Sequence, residues 1–138
     1  MAARTRSKRT RRASPLPSCA MGCGIDLVEL DRFSAIMGRW GTKLTNRVFT
    51  PAERRYAKKF REPLLHLAAR FAAKEAVVKA VAQVLPSQPL VITQIEVRND
   101  ALGRPSVVIT GLKGPAPAVM ISLTHTERAA AACAIAIR

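Results

Sequence analysis

The hydrophobic positions of this chain change period at about residue 90. Before it, apolar residues recur every three or four positions, the spacing of helices; after it, they alternate with polar residues, the spacing of strands. A short apolar segment, Gly22 to Val28, precedes the first helix and predicts a buried strand that contains Asp26. The predicted helices cover residues 31–39, 51–60 and 63–84, and the later predicted strands cover residues 91–98, 106–110, 119–124 and 130–137.

The order of these elements predicts an α+β fold, because helices come first and antiparallel strands follow. Thr50, Pro51 and Glu53 form a helix-start signature, with threonine as the N-cap and glutamate three residues later. The helix over residues 64–84 is the longest and carries many alanines, so other backbones can approach it closely. A short loop with two prolines, residues 111–117, precedes the last two strands.

The first 20 residues differ from the rest of the 138-residue chain. They are rich in arginine, serine and alanine and contain no acidic residue, a composition that predicts disorder. Such a segment is a targeting sequence, a nucleic-acid-binding arm, or a dispensable extension ahead of a natural start at Met21. We favour the third, because the ordered pattern begins directly after Met21, and we predict a basic extension, residues 1–20, and one domain, residues 21–138.

The formal net charge is +14, and six of the positive charges lie in the extension, which leaves +8 on the domain. A basic domain favours acidic partners, and nucleic acid, phosphorylated small molecules and acidic proteins all qualify. Three cysteines without a CxxC pair predict free thiols in a reducing compartment, the cytoplasm, and not a zinc site. No apolar run approaches the roughly 20 residues that a membrane span needs.

Four polar side chains of the domain are candidates for chemistry: Asp26, Glu75, Lys79 and His125. Each of them also has an explanation that involves no catalysis. The aspartate can belong to a structural ion pair, and the glutamate and lysine can form a surface pair on one helix. The histidine can be an ordinary exposed residue of a turn. Two carboxylates from different elements nevertheless suit a hard divalent ion such as magnesium, or manganese, with the lysine on a phosphate oxygen. The chain has no glycine-rich phosphate loop, so metal and basic side chains would hold a nucleotide-like ligand.

Five sequence blocks resemble, in this order, the motifs of holo-[acyl-carrier-protein] synthase, the short single-domain type of 4′-phosphopantetheinyl transferase. The blocks are Gly24–Leu30, Phe49–Glu53, Arg70–Ala76, Lys79–Ala80 and Ile121–Thr126. The resemblance implies the family's α+β fold, assembled as a homotrimer with an active site at each subunit interface. It also implies the family's reaction, in which a carrier serine attacks the β-phosphate of coenzyme A, receives the 4′-phosphopantetheine arm and releases 3′,5′-ADP in fatty acid biosynthesis.

The resemblance also implies roles for individual residues. Asp26 and Glu75 match the family's magnesium ligands, and Glu75, Lys79 and His125 match its catalytic residues. The implied coenzyme contacts are Arg70, Lys79, Gly103, Arg104, Pro105, His125 and Thr126, and the implied docking residues for the acyl carrier protein are Arg32 and Arg39. Either a bound water or Glu75 would take the serine proton.

The chain departs from the family pattern after Lys79, where no glycine turn follows, and in residues 111–117, where a helix is usual. Two other functions stay open. One is a small basic nucleic-acid-binding protein, which explains the charge but leaves the four polar side chains unexplained. The other is a non-catalytic homologue that binds a carrier protein. We favour the transferase, and expect neither nucleic acid nor a membrane as its partner.

Overall fold

The computed structural model describes residues 19–138 and has an α+β fold, as expected. The elements are β1 (Met21–Glu29), α1 (Leu30–Val48), α2 (Pro51–Ala57), α3 (Pro63–Val84), β2 (Ile95–Asn99), β3 (Pro105–Ile109), β4 (Ala118–His125) and β5 (Ala129–Ile137). Residues 1–18 of the expected basic extension lie outside the described residues, so the boundary of that extension stays a prediction.

All strand pairings among the described residues are antiparallel, but the helices do not simply precede the strands. The first strand, β1, pairs with the last, β5, and β4 completes a three-stranded sheet of order β1-β5-β4. Strands β2 and β3 form a separate hairpin. In the larger sheet, Ala132 of β5 pairs with Asp26 of β1 on one side and with Leu123 of β4 on the other.

Helix α3 packs across the larger sheet at backbone distance. Alternate residues of β1 face it, and an added Cβ at Gly22 or Gly24 would lie 2.0 Å from the carbonyl oxygen of Ala80 or Ala76. Only glycine fits where two backbones approach so closely. The predicted close approach to this alanine-rich helix is therefore confirmed, and its buried alanines are Ala68, Ala69, Ala72, Ala73, Ala76 and Ala80.

Three predicted element boundaries were wrong. Helix α1 does not end at Arg39; it bends at Gly41, whose φ is +55°, and continues to Val48. Helix α2 ends at Ala57 and not at Phe60. The backbone amides of Lys59 and Phe60 donate to the carbonyl groups three residues before them, which is not the α-helical hydrogen-bond pattern. The strand predicted over residues 91–98 begins only at Ile95, because residues 92–94 form a 3-10 turn.

The prediction that β1 is buried was also wrong. Its residues alternate between buried and exposed, and the side chains of Ile25 and Leu27 are 69% and 65% exposed. Met120 of β4, at 58% exposed, continues the same uncovered sheet face. One face of the sheet thus packs on α3, while the other presents apolar side chains outside the single chain.

A fully buried ion pair joins the start of α2 to α3. Lys74 Nζ lies 2.8 Å from Glu53 Oε2, and both side chains have no exposed surface. The lysine also donates to the Val48 carbonyl at 2.7 Å, while the glutamate accepts the backbone amides of Thr50 and Val97, each at 2.8 Å. The Thr50–Glu53 capping box predicted from the sequence is confirmed, and its glutamate additionally connects α2 to β2.

Candidate active site

The two predicted metal ligands lie on facing elements. Asp26 belongs to the alternate β1 residues that face α3, and Glu75 and Lys79 are one turn apart on that helix. Lys79 Nζ donates to Asp26 Oδ1 at 2.8 Å and to the Ile25 carbonyl at 2.9 Å. The structure therefore brings Asp26, Glu75 and Lys79 together on one edge of the sheet.

Nearby positive charge only partly compensates the negative charge of Glu75. Burial raises the pKa of the Glu75 carboxyl, the negative charge of Asp26 raises it further, and Lys79 only partly opposes them. Among residues 19–138, Glu75 forms no salt bridge. Two neighbouring carboxylates with one lysine between them can bind a divalent cation, which would neutralise the uncompensated charge. No third histidine, cysteine or acidic side chain of the described residues joins them in a metal cluster.

A second group of predicted residues surrounds Arg70. This arginine is 4% exposed, its guanidinium carbon lies 3.8 Å from the centre of the Tyr56 ring, and Nη2 donates to Asn99 Oδ1 at 2.6 Å. Its Nε has no partner within the described part of the chain. Asn99 in turn donates from Nδ2 to the Gly103 carbonyl at 3.0 Å, so one amide side chain connects Arg70 to the predicted coenzyme turn.

That turn, residues 99–105, joins β2 to β3. Asp100 accepts the amides of Leu102 and Arg104 at 2.9 Å each, and Arg104 Nε at 2.6 Å. These bonds lower the pKa of the Asp100 carboxyl. Gly103 has a φ of +80°, which favours glycine, and Pro105 begins β3 opposite Asn99. The three predicted turn residues are therefore held in one fixed conformation.

A cationic cavity of about 430 Å³ opens beside Arg70. Arg55 and Lys59, four apart on α2 and its following turn, add two positive charges to its wall, where Arg98 of β2 is paired with Glu96. Cationic side chains around an arginine with a free N–H suit phosphate groups. Sequence reasoning missed Arg55, Lys59, Tyr56 and Asn99; the spacing of the first two was visible, but their nearness to β2 was not.

His125 ends β4 and its side chain is exposed. Its ring centre lies 5.9 Å from that of His66, a residue of α3 for which the sequence predicts no role beyond the helix surface. Thr126 closes the β4–β5 turn, since its Oγ1 accepts the amides of Arg128 and Ala129 at 3.2 and 3.1 Å. The hydroxyl hydrogen of Thr126 stays available to donate to a ligand.

The structure does not join the two groups within one chain. Asp26 lies on β1 and His125 on β4, and these strands are separated by β5, so they are two strand spacings apart, about 10 Å. No hydrogen bond or ion pair between described residues connects His125 or Arg70 to the carboxylate pair. A single chain thus carries two partial sites on opposite edges of its sheet.

The predicted carrier-docking residues both lie on α1, seven positions apart and therefore on one face. Arg32 lines a largely apolar cavity of about 650 Å³ between α1, β1 and α3, and Asp26 lies on the same wall. Arg32 and Asp26 therefore line the same cavity, while Arg39 is exposed further along the helix.

A match to a known family identifies the class of protein. Residues 22–136 match the family model of the 4′-phosphopantetheinyl transferase superfamily, and the chain therefore belongs to that superfamily. The motif resemblance described above is confirmed at family level.

Individual relatives narrow the class to holo-[acyl-carrier-protein] synthase. The holo-[acyl-carrier-protein] synthase of Protochlamydia amoebophila is 41% identical over 118 residues, which cover 83% of this chain and 96% of the relative. The one from Nocardia farcinica is 41% identical over 124 residues, covering 83% and 86%. The enzyme class expected from the motifs is thereby confirmed.

Solved structures show the same fold. A Chronobacterium ammoniagenes ACPS–CoA complex superposes with a TM-score of 0.74 at 33% identity, covering 86% of this chain and 97% of that one. The Mycobacterium tuberculosis acyl carrier protein synthase superposes with a TM-score of 0.65 at 40% identity, covering 83% and 95%.

Proposed function

We propose that this chain transfers the 4′-phosphopantetheine arm of coenzyme A to a serine of an acyl carrier protein, with magnesium held by Asp26 and Glu75. The observation that carries the metal assignment is the facing carboxylate pair, in which Lys79 neutralises Asp26 and leaves Glu75 without a cation. Magnesium commonly takes one or two protein carboxylates and completes its shell with water and substrate phosphates.

The side chains of this edge can then divide the reaction between them. The serine oxygen forms a bond to the β-phosphorus of coenzyme A as the bond to the leaving 3′,5′-ADP breaks, and the serine proton goes to Glu75 or to a water. Lys79, held beside Asp26, stabilises the charge on the leaving phosphate. When bound, magnesium supplies further neutralisation of the diphosphate oxygens.

The coenzyme's remaining phosphate and adenine require the second partial site. Arg70, with its unpartnered Nε, lines the cationic cavity, and Asn99 connects it to the turn of Gly103, Arg104 and Pro105. His125 and Thr126 present an imidazole and a hydroxyl at the neighbouring hairpin tip. These groups offer cationic and hydrogen-bond donors to a phosphorylated nucleoside.

We further propose that the two partial sites meet between subunits of a homotrimer; the number three follows the family resemblance. The uncovered apolar sheet face is the kind of surface that self-association covers. His125 of one subunit would then complete the site formed by Asp26 and Glu75 of the next.

Ile25→Glu should test this assembly, because it places a charge on the uncovered face at its most exposed large apolar side chain. The variant is expected to sediment at one third of the wild-type mass and to lose transfer activity at least about 10-fold, with helical circular dichroism unchanged. Val91→Glu is the matched control, since Val91 is also exposed, at 54%, but lies outside that face. A fully active Ile25→Glu monomer would contradict a shared site.

The carrier would dock on α1, where Arg32 and Arg39 face its acidic surface. The partner we propose is the carrier of fatty acid biosynthesis. The three cysteines are free thiols in the described chain, which supports a cytoplasmic location. Among residues 19–138, no helix has the length and apolar character needed to cross a membrane.

Incubation with coenzyme A, magnesium and an apo acyl carrier protein should increase the carrier mass by one phosphopantetheine group. Chelation of the metal is expected to stop the gain, and Arg39→Glu to slow it at low carrier concentration but much less at saturation. Mass spectrometry of the intact carrier measures both. A carrier that keeps its apo mass under all these conditions refutes the transfer.

A further inference from the structure

His66 lies at the centre of an aromatic cluster that the proposed reaction does not use. Its imidazole stacks on Phe60, with ring centres 3.7 Å apart and planes at 24°. Tyr56 meets it edge-on at 6.2 Å, and His125 meets it edge-on at 5.9 Å. The ring of His66 is therefore stacked on Phe60 on one side and lies nearly perpendicular to the ring of His125, an exposed coenzyme-binding candidate.

The charges around His66 disfavour its protonated form. Burial lowers the pKa of the imidazole first, and the nearby positive charges of His125 and Arg70 lower it further. The groups that face it from the packed elements are Tyr56 of α2, His125 of β4 and Arg70 of its own helix. In the free chain at neutral pH, His66 is consequently neutral.

We propose that His66 is a positioning residue that fixes the ring of His125 for the coenzyme and takes up a proton when a coenzyme phosphate binds there. The inference rests on the proposed function, which assigns Arg70 and His125 to coenzyme A. It assigns a role to a residue that lies outside all five sequence motifs, and it couples coenzyme binding to the uptake of a proton.

The proton uptake follows from the sign of the ligand's charge. A bound phosphate is a polyanion, and it offsets the two positive charges that disfavour protonation of His66. The proton comes from the buffer and stays on the imidazole, so no bond of the coenzyme changes.

His66→Phe separates this role from simple packing, because phenylalanine preserves the stack on Phe60 but cannot take up a proton. The KM for coenzyme A is expected to rise roughly 3- to 10-fold, because the ring can no longer carry a positive charge beside a bound phosphate, with kcat within about 2-fold. Calorimetric binding of coenzyme A with magnesium, in PIPES and in ACES near pH 6.5, counts the protons exchanged. The variant should take up fewer protons than wild type, by roughly a third of a proton to one proton.

His66→Gln is a second variant, which tests the same role if His66→Phe does not fold. Glutamine removes both the aromatic ring and the titrating group, so its KM should be at least as high as that of His66→Phe and it should show none of the proton uptake. Protons exchanged by coenzyme A itself are the same for every variant and cancel in the comparison.

The outcomes separate the two proposals. If wild type modifies the carrier and both variants match it in KM and proton uptake, His66 has only a packing role and the inference is wrong. A lowered melting temperature with unchanged KM and proton uptake leads to the same conclusion. A wild-type chain that neither binds coenzyme A nor modifies the carrier overturns the proposed function, and this inference with it.

Discussion

Glu75→Gln is expected to reduce transfer of phosphopantetheine to the carrier at least about 100-fold, a loss of several kcal/mol of transition-state stabilisation. Glutamine retains the size of the side chain but removes the negative charge that pairs with Asp26 around the proposed cation. The kcat/KM for coenzyme A, measured at saturating magnesium, reports the loss. Because glutamine removes a half-buried charge that Lys79 only partly offsets, the variant should be at least as stable as wild type.

The same carboxylate predicts a pH dependence. Its pKa is raised above the ordinary glutamate value, so protonation begins at a higher pH than for an exposed glutamate. Magnesium requires the deprotonated form, and its affinity should therefore fall as pH decreases through the raised pKa. The apparent dissociation constant of wild type for magnesium should therefore increase as pH decreases through this pKa. Glu75→Gln should not show this increase.

Glu62→Gln is the matched control, since Glu62 precedes the same helix but is exposed and lies three turns before Glu75. It should transfer at the wild-type rate. Retention of more than about one tenth of wild-type activity by Glu75→Gln would exclude that carboxylate as an essential metal ligand.

Lys74→Met is expected to destabilise the fold by roughly 3–5 kcal/mol, because it leaves Glu53 as a buried charge without its cation. Burial lowers the pKa of Lys74, and Glu53 opposes that effect, so the positive charge of Lys74 depends on its partner. Urea unfolding at a fixed protein concentration measures the loss.

Two further variants make the result specific. Glu53→Gln with Lys74→Met should lose less than the two single changes added together, because neither charge is then left alone. Arg98→Met removes the exposed Arg98–Glu96 pair and should change stability by about 1 kcal/mol or less. Equal losses for Lys74→Met and Arg98→Met would show that burial of the Glu53 pair has no energetic consequence.

The sequence could predict the α+β class and the carboxylate pair, since both are encoded locally or in motifs. Glu75 and Lys79 share a helix face by their spacing, and Asp26 lies in the strand block of the family. The Glu53–Lys74 pair could not be predicted, because 21 positions separate the partners and the capping box already gave Glu53 a role.

The second partial site was predicted as separate residues and not as a cavity. Arg70 and Gly103 were both expected to contact the coenzyme, but their connection through Asn99 depends on how the β2–β3 hairpin lies against α3. Likewise, the apolar residues of β1 predicted burial within the chain. In the structure half of them face outward, because α3 covers one side of the sheet only.

The contact between Gly24 and α3 determines which mutations can move the carboxylates. Ala76, whose carbonyl meets Gly24, follows Glu75 directly, and Asp26 is two residues beyond Gly24 on the same face of the strand. The separation of the two acids is therefore a property of main-chain atoms, and exchanging the aliphatic side chains around them leaves it largely untouched.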